Sequence, residues 1–236
     1  MVLRIMLLFL MLGANRFLSA QSTFHIFPQI ADGRFADGSS YRSTIMVLPA
    51  VETDAPQCTL NLYGLSATFP GGAASSTFAV NVTAAGFAAI QTTGAQSYQG
   101  GYGTLSCTTN VFASVLYALY ASNGVKVGEA TVFSSPESVK FRLIADHRET
   151  ARLGIAIANN TDNAQVYLVT YSTGSSSVSN SVTIPARRAL AKFVDEIVSV
   201  PSGSVGVVTI TSPTLSNFSV IGLRFTGGVF TTIPPS

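Results

Sequence analysis

Few residues in this chain have the types and spacing to do chemistry. Only two histidines, His25 and His147, exist for general acid–base work. His147 lies in Asp146-His147-Arg148-Glu149, which holds two members of a catalytic triad. Adjacent residues of an extended segment point to opposite faces, and a triad also needs a positioned nucleophile. No Gly-x-Ser-x-Gly elbow, the turn that lifts a reactive serine off a strand end, occurs in the chain. A hydrolase using His147 is therefore the least supported functional reading. The segment reads better as a solvated loop, and the expectation is a protein that is not an enzyme.

Metal chemistry has one candidate. Asp32-Gly33 and Asp37-Gly38 sit five residues apart in Ala31-Asp32-Gly33-Arg34-Phe35-Ala36-Asp37-Gly38. They resemble the oxygen-rich loops that hold Ca²⁺, so Asp32 and Asp37 are the metal-ligand candidates. The run of alternating acidic ligands and the closing Glu are missing, and Asp-Gly is also a favoured turn pair for conformational reasons alone. No cofactor is expected. Sugar recognition would need aromatic platforms, because a ring face covers the apolar face of a sugar. Trp is absent and eight tyrosines remain. Tyr98 and Tyr102 flank Gln99-Gly100-Gly101 and are the candidates for an exposed ligand-contacting tip. The competing reading is strand tyrosines packed at sheet edges. Asn81-Val82-Thr83, Asn159-Asn160-Thr161 and Asn217-Phe218-Ser219 match the glycosylation sequon.

The two cysteines, Cys58 and Cys107, take their meaning from the compartment. Arg4, the apolar run Ile5–Leu12 and Leu18-Ser19-Ala20 before Gln21 read as a secretory signal over residues 1–20. The apolar run stops at Gly13-Ala14-Asn15-Arg16, short of the roughly 20 residues that span a bilayer. Retention as a membrane anchor is the alternative. After cleavage no transmembrane segment is expected, and the product would be secreted to the extracellular space or cell surface, with the periplasm also open. In an oxidising compartment an isolated cysteine pair is a disulfide candidate. Such a bridge would close a loop of about 50 residues and add roughly 3–4 kcal/mol before strain is subtracted. Two separately buried thiols are the alternative, and a lone pair offers too few ligands for a metal.

The elements that must position these residues are strands. Charged residues make up 10% of the chain, against about 25% in an average soluble domain. Ser, Thr and Gly fill the polar positions instead. The net charge of +2 is scattered, and Arg187-Arg188 is its densest point, so nucleic acid is not an expected partner. Short runs of Val, Ile, Thr, Tyr and Phe broken by Gly, Pro, Asn and Asp predict strands. They fall near 24–27, 43–48, 58–63, 78–82, 87–91, 103–108, 113–120 and 126–133. A second series follows near 140–144, 153–158, 166–171, 181–184, 205–211, 218–225 and 229–233. One segment departs from the pattern. Arg187–Val198 places Leu190, Phe193, Val194 and Ile197 at helical spacing and predicts a short helix.

The two series look like one module written twice. Phe27-Pro28-Gln29-Ile30-Ala31-Asp32 is echoed by Phe141-Arg142-Leu143-Ile144-Ala145-Asp146. Ser43–Val47 matches Leu153–Ile157, Leu60–Tyr63 matches Leu168–Tyr171, and Gly103–Cys107 matches Gly206–Ile210. On this alignment both cysteines fall at positions that are apolar in the other copy. A break at Ser134-Ser135-Pro136-Glu137 divides the chain into copy 1 (21–136) and copy 2 (137–236). The expected fold class is all-β: two tandem antiparallel immunoglobulin-like sandwiches, with one short helix in the second.

These residues resemble a known type. Phe27–Gly33 and Cys58–Gly64, with Gly154–Asn159, Phe193–Ile197, Gly222–Thr226 and Phe230–Pro234, are similar to an uncharacterised secreted β-sandwich module of soil bacteria. The resemblance covers nearly all of the mature chain and implies an immunoglobulin-like exported pair without an assigned activity. Together with the residues, it leads to the expectation of a non-enzymatic extracellular or cell-surface protein of adhesion, assembly or scaffolding. Its partners would be surface proteins or extracellular polysaccharide. The alternative is a carbohydrate-binding module using exposed tyrosines.

Overall fold

In the first half of the chain, β-branched and aromatic residues alternating with Ser, Thr and Gly form β1 (Ser22–Arg34), β2 (Ser40–Pro49), β3 (Gln57–Tyr63), β4 (Thr77–Asn81), β5 (Ala88–Gln91), β6 (Gln99–Tyr120) and β7 (Lys126–Phe133). The second half adds β8 (Lys140–Asp146), β9 (Arg152–Asn159), β10 (Gln165–Ser172), β11 (Ser177–Ile184), β12 (Arg188–Phe193), β13 (Val205–Thr211), β14 (Ser219–Thr226) and β15 (Val229–Ile233). This computed structural model describes residues 21–236. The proposed signal, residues 1–20, lies outside the described residues. Every pairing between these strands is antiparallel.

The second half makes two four-stranded sheets, β11-β10-β13-β8 and β12-β9-β14-β15. Their facing sides share a core in which Phe141, Leu143, Val169, Tyr171, Val208 and Ile210 meet Leu153, Ile155, Ile157 and Val220. The first half repeats these strand pairings within one seven-stranded sheet, which also has a β1–β2 pairing that the second half lacks. β4-β3-β6-β1 matches one sheet, and β5-β2-β6-β7 matches the other. The difference is β6. Strands expected separately at 103–108 and 113–120 are one strand of 22 residues. Thr108-Thr109-Asn110-Val111-Phe112 contains no Gly or Pro to end it, so the ladder runs on. Its first part pairs with β3 and β1, and its last part pairs with β2 and β7. A register shift between Ser22 and Phe24 on β1 marks where the long strand passes from one layer to the other.

Three sequence expectations need correction. The helix over Arg187–Val198 does not form. Arg188–Phe193 pairs with β9 from Asn159 to Gly154, and only a single 3₁₀ turn, Val194–Glu196, follows. Helix propensity is a weak preference, and the open edge of β9 offers six residues of ladder instead. The apolar spacing still does part of its expected work, because Val194, Ile197 and Val198 are buried in the core. The copies therefore agree at this connection, where β12 corresponds to β5. The proposed alignment is also out of phase at one strand. Leu60 and Leu62 are buried, yet their matches Leu168 and Thr170 are half-buried, and Tyr167, Val169 and Tyr171 point inward. A one-residue slip exchanges the two faces of a strand. Finally, Asp32 and Gly33 belong to β1, and only Asp37-Gly38 lies in a turn.

The halves are packed on each other through β9 and β14. Along β9 the large residues Leu153, Ile155 and Ile157 enter the second core. The alternate positions are Gly154, Ala156 and Ala158, small enough to let the first half approach closely. Ala156, Ile221, Leu223 and Phe230 join the core of the first half, beside Phe27, Ile30 and Val115. The sheet β12-β9-β14-β15 thus has apolar residues on both faces, and Ser219–Leu223 is buried without alternation. Cys58 and Cys107 form a disulfide. They stand directly opposite each other on β3 and β6, so the bridge joins neighbouring strands of one sheet.

Candidate functional site

The structure separates the two candidate tyrosines. Tyr102 is fully buried rather than exposed on a tip. It stacks on Tyr63 with ring centroids 4.7 Å apart, and its hydroxyl donates to Asn160 Oδ1 at 3.0 Å. Burial pushes its hydroxyl up to about 12. The cause is position: Tyr102 lies within β6, packed with Ile26 and with Ala158 of the second half. Tyr98, one residue before that strand, stays 38% exposed. It stacks on Phe35 at 4.4 Å and borders a cleft between the halves.

The candidate metal ligands are held in local bonds. Asp32 is buried, and its Oδ1 accepts the Gly94 N–H at 2.8 Å, tying β1 to the segment after β5. Asp37 is exposed and accepts from the N–H and hydroxyl of Ser39 at 2.9 and 2.6 Å. These bonds, to the hydroxyl first, hold its carboxyl below the ordinary value. Among the described residues no group of three or more His, Cys, Asp or Glu gathers as metal ligands would. Asp146 is engaged with Arg148 at 2.9 Å and Arg224 at 3.3 Å. His147 is buried edge-on to Tyr171, and its Nε2 has no partner. The Asp146-His147 pair thus has no triad geometry. Arg187 and Arg188 border a shallow hollow of about 430 Å³ beside Tyr63 and Gln99. There Arg187 already donates to Asp162 at 2.9 Å and to Asn160 at 2.7 Å.

What the sequence did not show is the cleft of about 250 Å³ between the halves. Tyr41 on β2, Tyr117 on β6 and Tyr98 form one wall, and Phe193 and Phe225 stand on the other. Gly154, Ala156, Ile221 and Leu223 also line it. The rings make a nearly continuous path. Tyr41 stacks on Tyr117 at 4.5 Å, and Tyr117 meets Phe230 edge-on at 5.6 Å. Phe230 meets Phe225 at 5.0 Å, and Phe225 meets Phe193 at 5.2 Å. Arg152 fixes the far wall, with its guanidinium 3.7 Å from the Phe193 ring centre and bonded to Asp195 at 2.9 Å. A Cβ on Gly154 would lie 3.1 Å from the Phe225 ring, so a side chain there would crowd that wall.

Gln29 also lines the cleft. Pro28 and Gln29 lie at a bulge, where β1 shifts register against β6 between Phe27 and Ile30. The extra residue lets both Phe27 and Ile30 enter the core while Gln29 faces the neighbouring sheet. Burial, above all, raises the hydroxyls of Tyr41, Tyr98 and Tyr117, so all three are protonated donors at neutral pH. Only the proline in Phe27-Pro28-Gln29-Ile30 hinted at this arrangement, since proline inside a strand marks a bulge or an edge. No known protein family matches the chain, and no curated protein or solved structure does so either.

Proposed function

We propose that the chain is an exported, non-enzymatic scaffold that works at the cell surface or outside the cell by joining copies of itself through the edge of β11. The observation that carries this reading is that edge. β11 spans eight residues, Ser177-Val178-Ser179-Asn180-Ser181-Val182-Thr183-Ile184, with no charge and no proline. Among the described residues it pairs only with β10. Edge strands are normally kept short or guarded by Lys or Pro, because their unpaired backbone is a template for another chain. At the opposite end of the same sheet, β8 is capped, since Arg142 and Ser236 exchange backbone hydrogen bonds of 2.8 and 2.9 Å. β12 carries Arg188 and Lys192, and β7 carries the Lys126–Glu129 pair.

The sequence of β11 also reads nearly the same in both directions about Asn180. Antiparallel pairing on a two-fold axis at Asn180 would set Val178 against Val182, Ser179 against Ser181 and Ser177 against Thr183. Self-complementary edges of this kind make isologous dimers. The disulfide supports export, because such bonds persist in oxidising compartments. Each half is also best read as an immunoglobulin-like variant. In a constant-type immunoglobulin sandwich the third strand pairs with the sixth and the second with the fifth, as here. The first, fourth and seventh strands have changed sheets, and an eighth is added. Carbohydrate binding remains a second reading because Tyr98 and Phe35 stack on each other while both stay over a third exposed.

The test is crosslinking. In Asn180→Cys the new thiols meet on the proposed axis, and oxidation should give a covalent dimer on a non-reducing gel. Thr173→Cys, in the exposed loop before β11, should not crosslink. Ser179→Lys/Ser181→Lys, which opposes like charges across the axis, should leave a monomer by light scattering. A wild-type chain that stays monomeric at about 100 μM, an affinity limit weaker than most specific assemblies, would rule out this reading.

A further inference from the structure

Gln29 is one of several buried polar side chains with an atom left unpaired within the chain, and it stands at the cleft. It is only 4% exposed, and its Oε1 has no hydrogen-bond partner. The amide interacts with the Tyr117 hydroxyl, which in turn interacts with the Tyr41 hydroxyl. A buried amide oxygen without a donor has given up its hydration for nothing in return, so such groups ordinarily have a partner. The residue lies on the wall of the aromatic cleft described above. An acceptor in need of a donor, set beside a ring-lined hollow, is the usual pattern of a small-molecule site: apolar walls with a few convergent polar groups.

The size and lining limit the ligand. An apolar cavity of about 150 Å³ takes benzene, so the cleft's volume of about 250 Å³ has room for one or two rings. Tyr41, Tyr117, Phe193 and Phe225 offer faces and edges to an aromatic ring, which prefers offset or edge-to-face contact with them. A pyranose carries hydroxyls around its whole rim. Against Ile155, Ala156, Ile221 and Leu223 these would lose water without gaining partners. The acidic group at the cleft is already occupied, since Glu196 accepts from Arg152 at 3.4 Å and from the Phe193 N–H at 3.3 Å. A cationic ligand therefore has no free counter-charge there.

We propose that this cleft binds a one- or two-ring aromatic molecule bearing a hydroxyl or N–H group, whose donor is directed to the Gln29 amide while its rings pack among Tyr41, Tyr117, Phe193 and Phe225. The site is independent of assembly through β11, which lies on the other sheet of the second half. It gives the contact between the halves a purpose beyond mutual support. It also accounts for the small residues Gly154 and Ala156 at positions where larger side chains would close the space.

The experiment uses the full protein with 2-naphthol and 2-methoxynaphthalene, which have the same ring but differ in the donor. The chain has no Trp, so naphthyl fluorescence can be followed without interference. Saturable binding of 2-naphthol is expected, with 2-methoxynaphthalene weaker by about tenfold, the effect of one buried hydrogen bond. Gln29→Leu should bring the two affinities within about twofold. Ala191→Phe, at an exposed position on the cleft lining, should abolish both while leaving the fold intact. Equal affinity for the two probes would overturn the proposal. So would the absence of saturable binding, or binding unchanged by Ala191→Phe. Displacement of 2-naphthol by methyl β-glucopyranoside would replace the aromatic ligand with a sugar. Light scattering of the same samples keeps a failure here separate from a failure of the edge assembly.

Discussion

His25 and His147 are the residues most sensitive to a change of pH, because the fold buries both rings. His25 is 1% exposed, with Nε2 beside the Ser22 carbonyl at 3.0 Å and Nδ1 without a partner. Burial lowers the pKa of both rings, and bonds to the backbone at Ser22 and Val111 offset part of the effect for His25. Asp195 and Asp146 act on His147 in the opposite sense to Arg152 and Arg224. A ring whose folded value is depressed takes up its proton first in the unfolded chain, near pH 6.5. Its stabilising contribution is therefore whole above that pH, and is lost as the pH falls through the lowered folded value. Melting temperature should fall from pH 7.5 to 5, and the fall should be smaller in His25→Gln/His147→Gln. An identical slope in the variant would show that other groups set the acid sensitivity. The same two residues are the only histidines the sequence offers for acid–base catalysis. Their burial could not be read there, because His25 packs against β6 residues some 80 positions away.

At the scale of elements, Asn159 shows how one polar side chain fixes three strand ends. It closes β9 and is fully buried. Its Nδ2 donates to the carbonyls of Asn163, Ile184 and Pro185 at 2.8, 3.1 and 3.0 Å, and its Oδ1 accepts from Thr161. This holds the β9–β10 turn against the end of β11 and the start of β12. Asn159→Ala would leave several of these groups unpaired and should cost about 2–4 kcal/mol, seen in urea denaturation. A loss below about 0.5 kcal/mol, the level of an ordinary surface change, would contradict this role. Asn81 and Asn217, the first residues of the other two sequons, are exposed. The strand pattern itself was largely legible, because apolar alternation survives in β2, β3, β8 and β10. Two errors have one physical source. The helical spacing at Arg187–Val198 and the apparent gap in β6 were both overridden by pairing with distant strands, which local sequence does not encode. The cleft was illegible for the same reason, since its walls come from β1, β2, β6, β9, β12 and β14.

Taken as a whole, the molecule is two antiparallel β halves with like strand pairings that share a wall. Ala156, Ile221, Leu223 and Phe230 belong to the second half by sequence and to the first core by packing. The two β-edges β7 and β15 also meet, with the Thr232 hydroxyl donating to the Thr131 carbonyl at 2.5 Å. A repeat in sequence therefore does not imply two units that fold independently. Cutting the chain at the break near Pro136 would bare an apolar sheet face on the second half, and faces of that kind drive association. The full protein should melt in one cooperative transition, with calorimetric and van't Hoff enthalpies equal. Leu223→Asp would put an unpaired charge on the shared wall and should destabilise both halves together by about 3–5 kcal/mol. The disulfide in the first half and Tyr171 in the second report on opposite ends of the chain. Accessibility of the disulfide to reductant and the NMR signals of the Tyr171 ring should then change at the same denaturant concentration. Two separate transitions, or a Leu223→Asp variant that loses only the second half, would show that the wall is a contact between finished domains. A single transition would mean that the cleft exists only in the complete chain, so that its ligand, once found, must stabilise both halves equally.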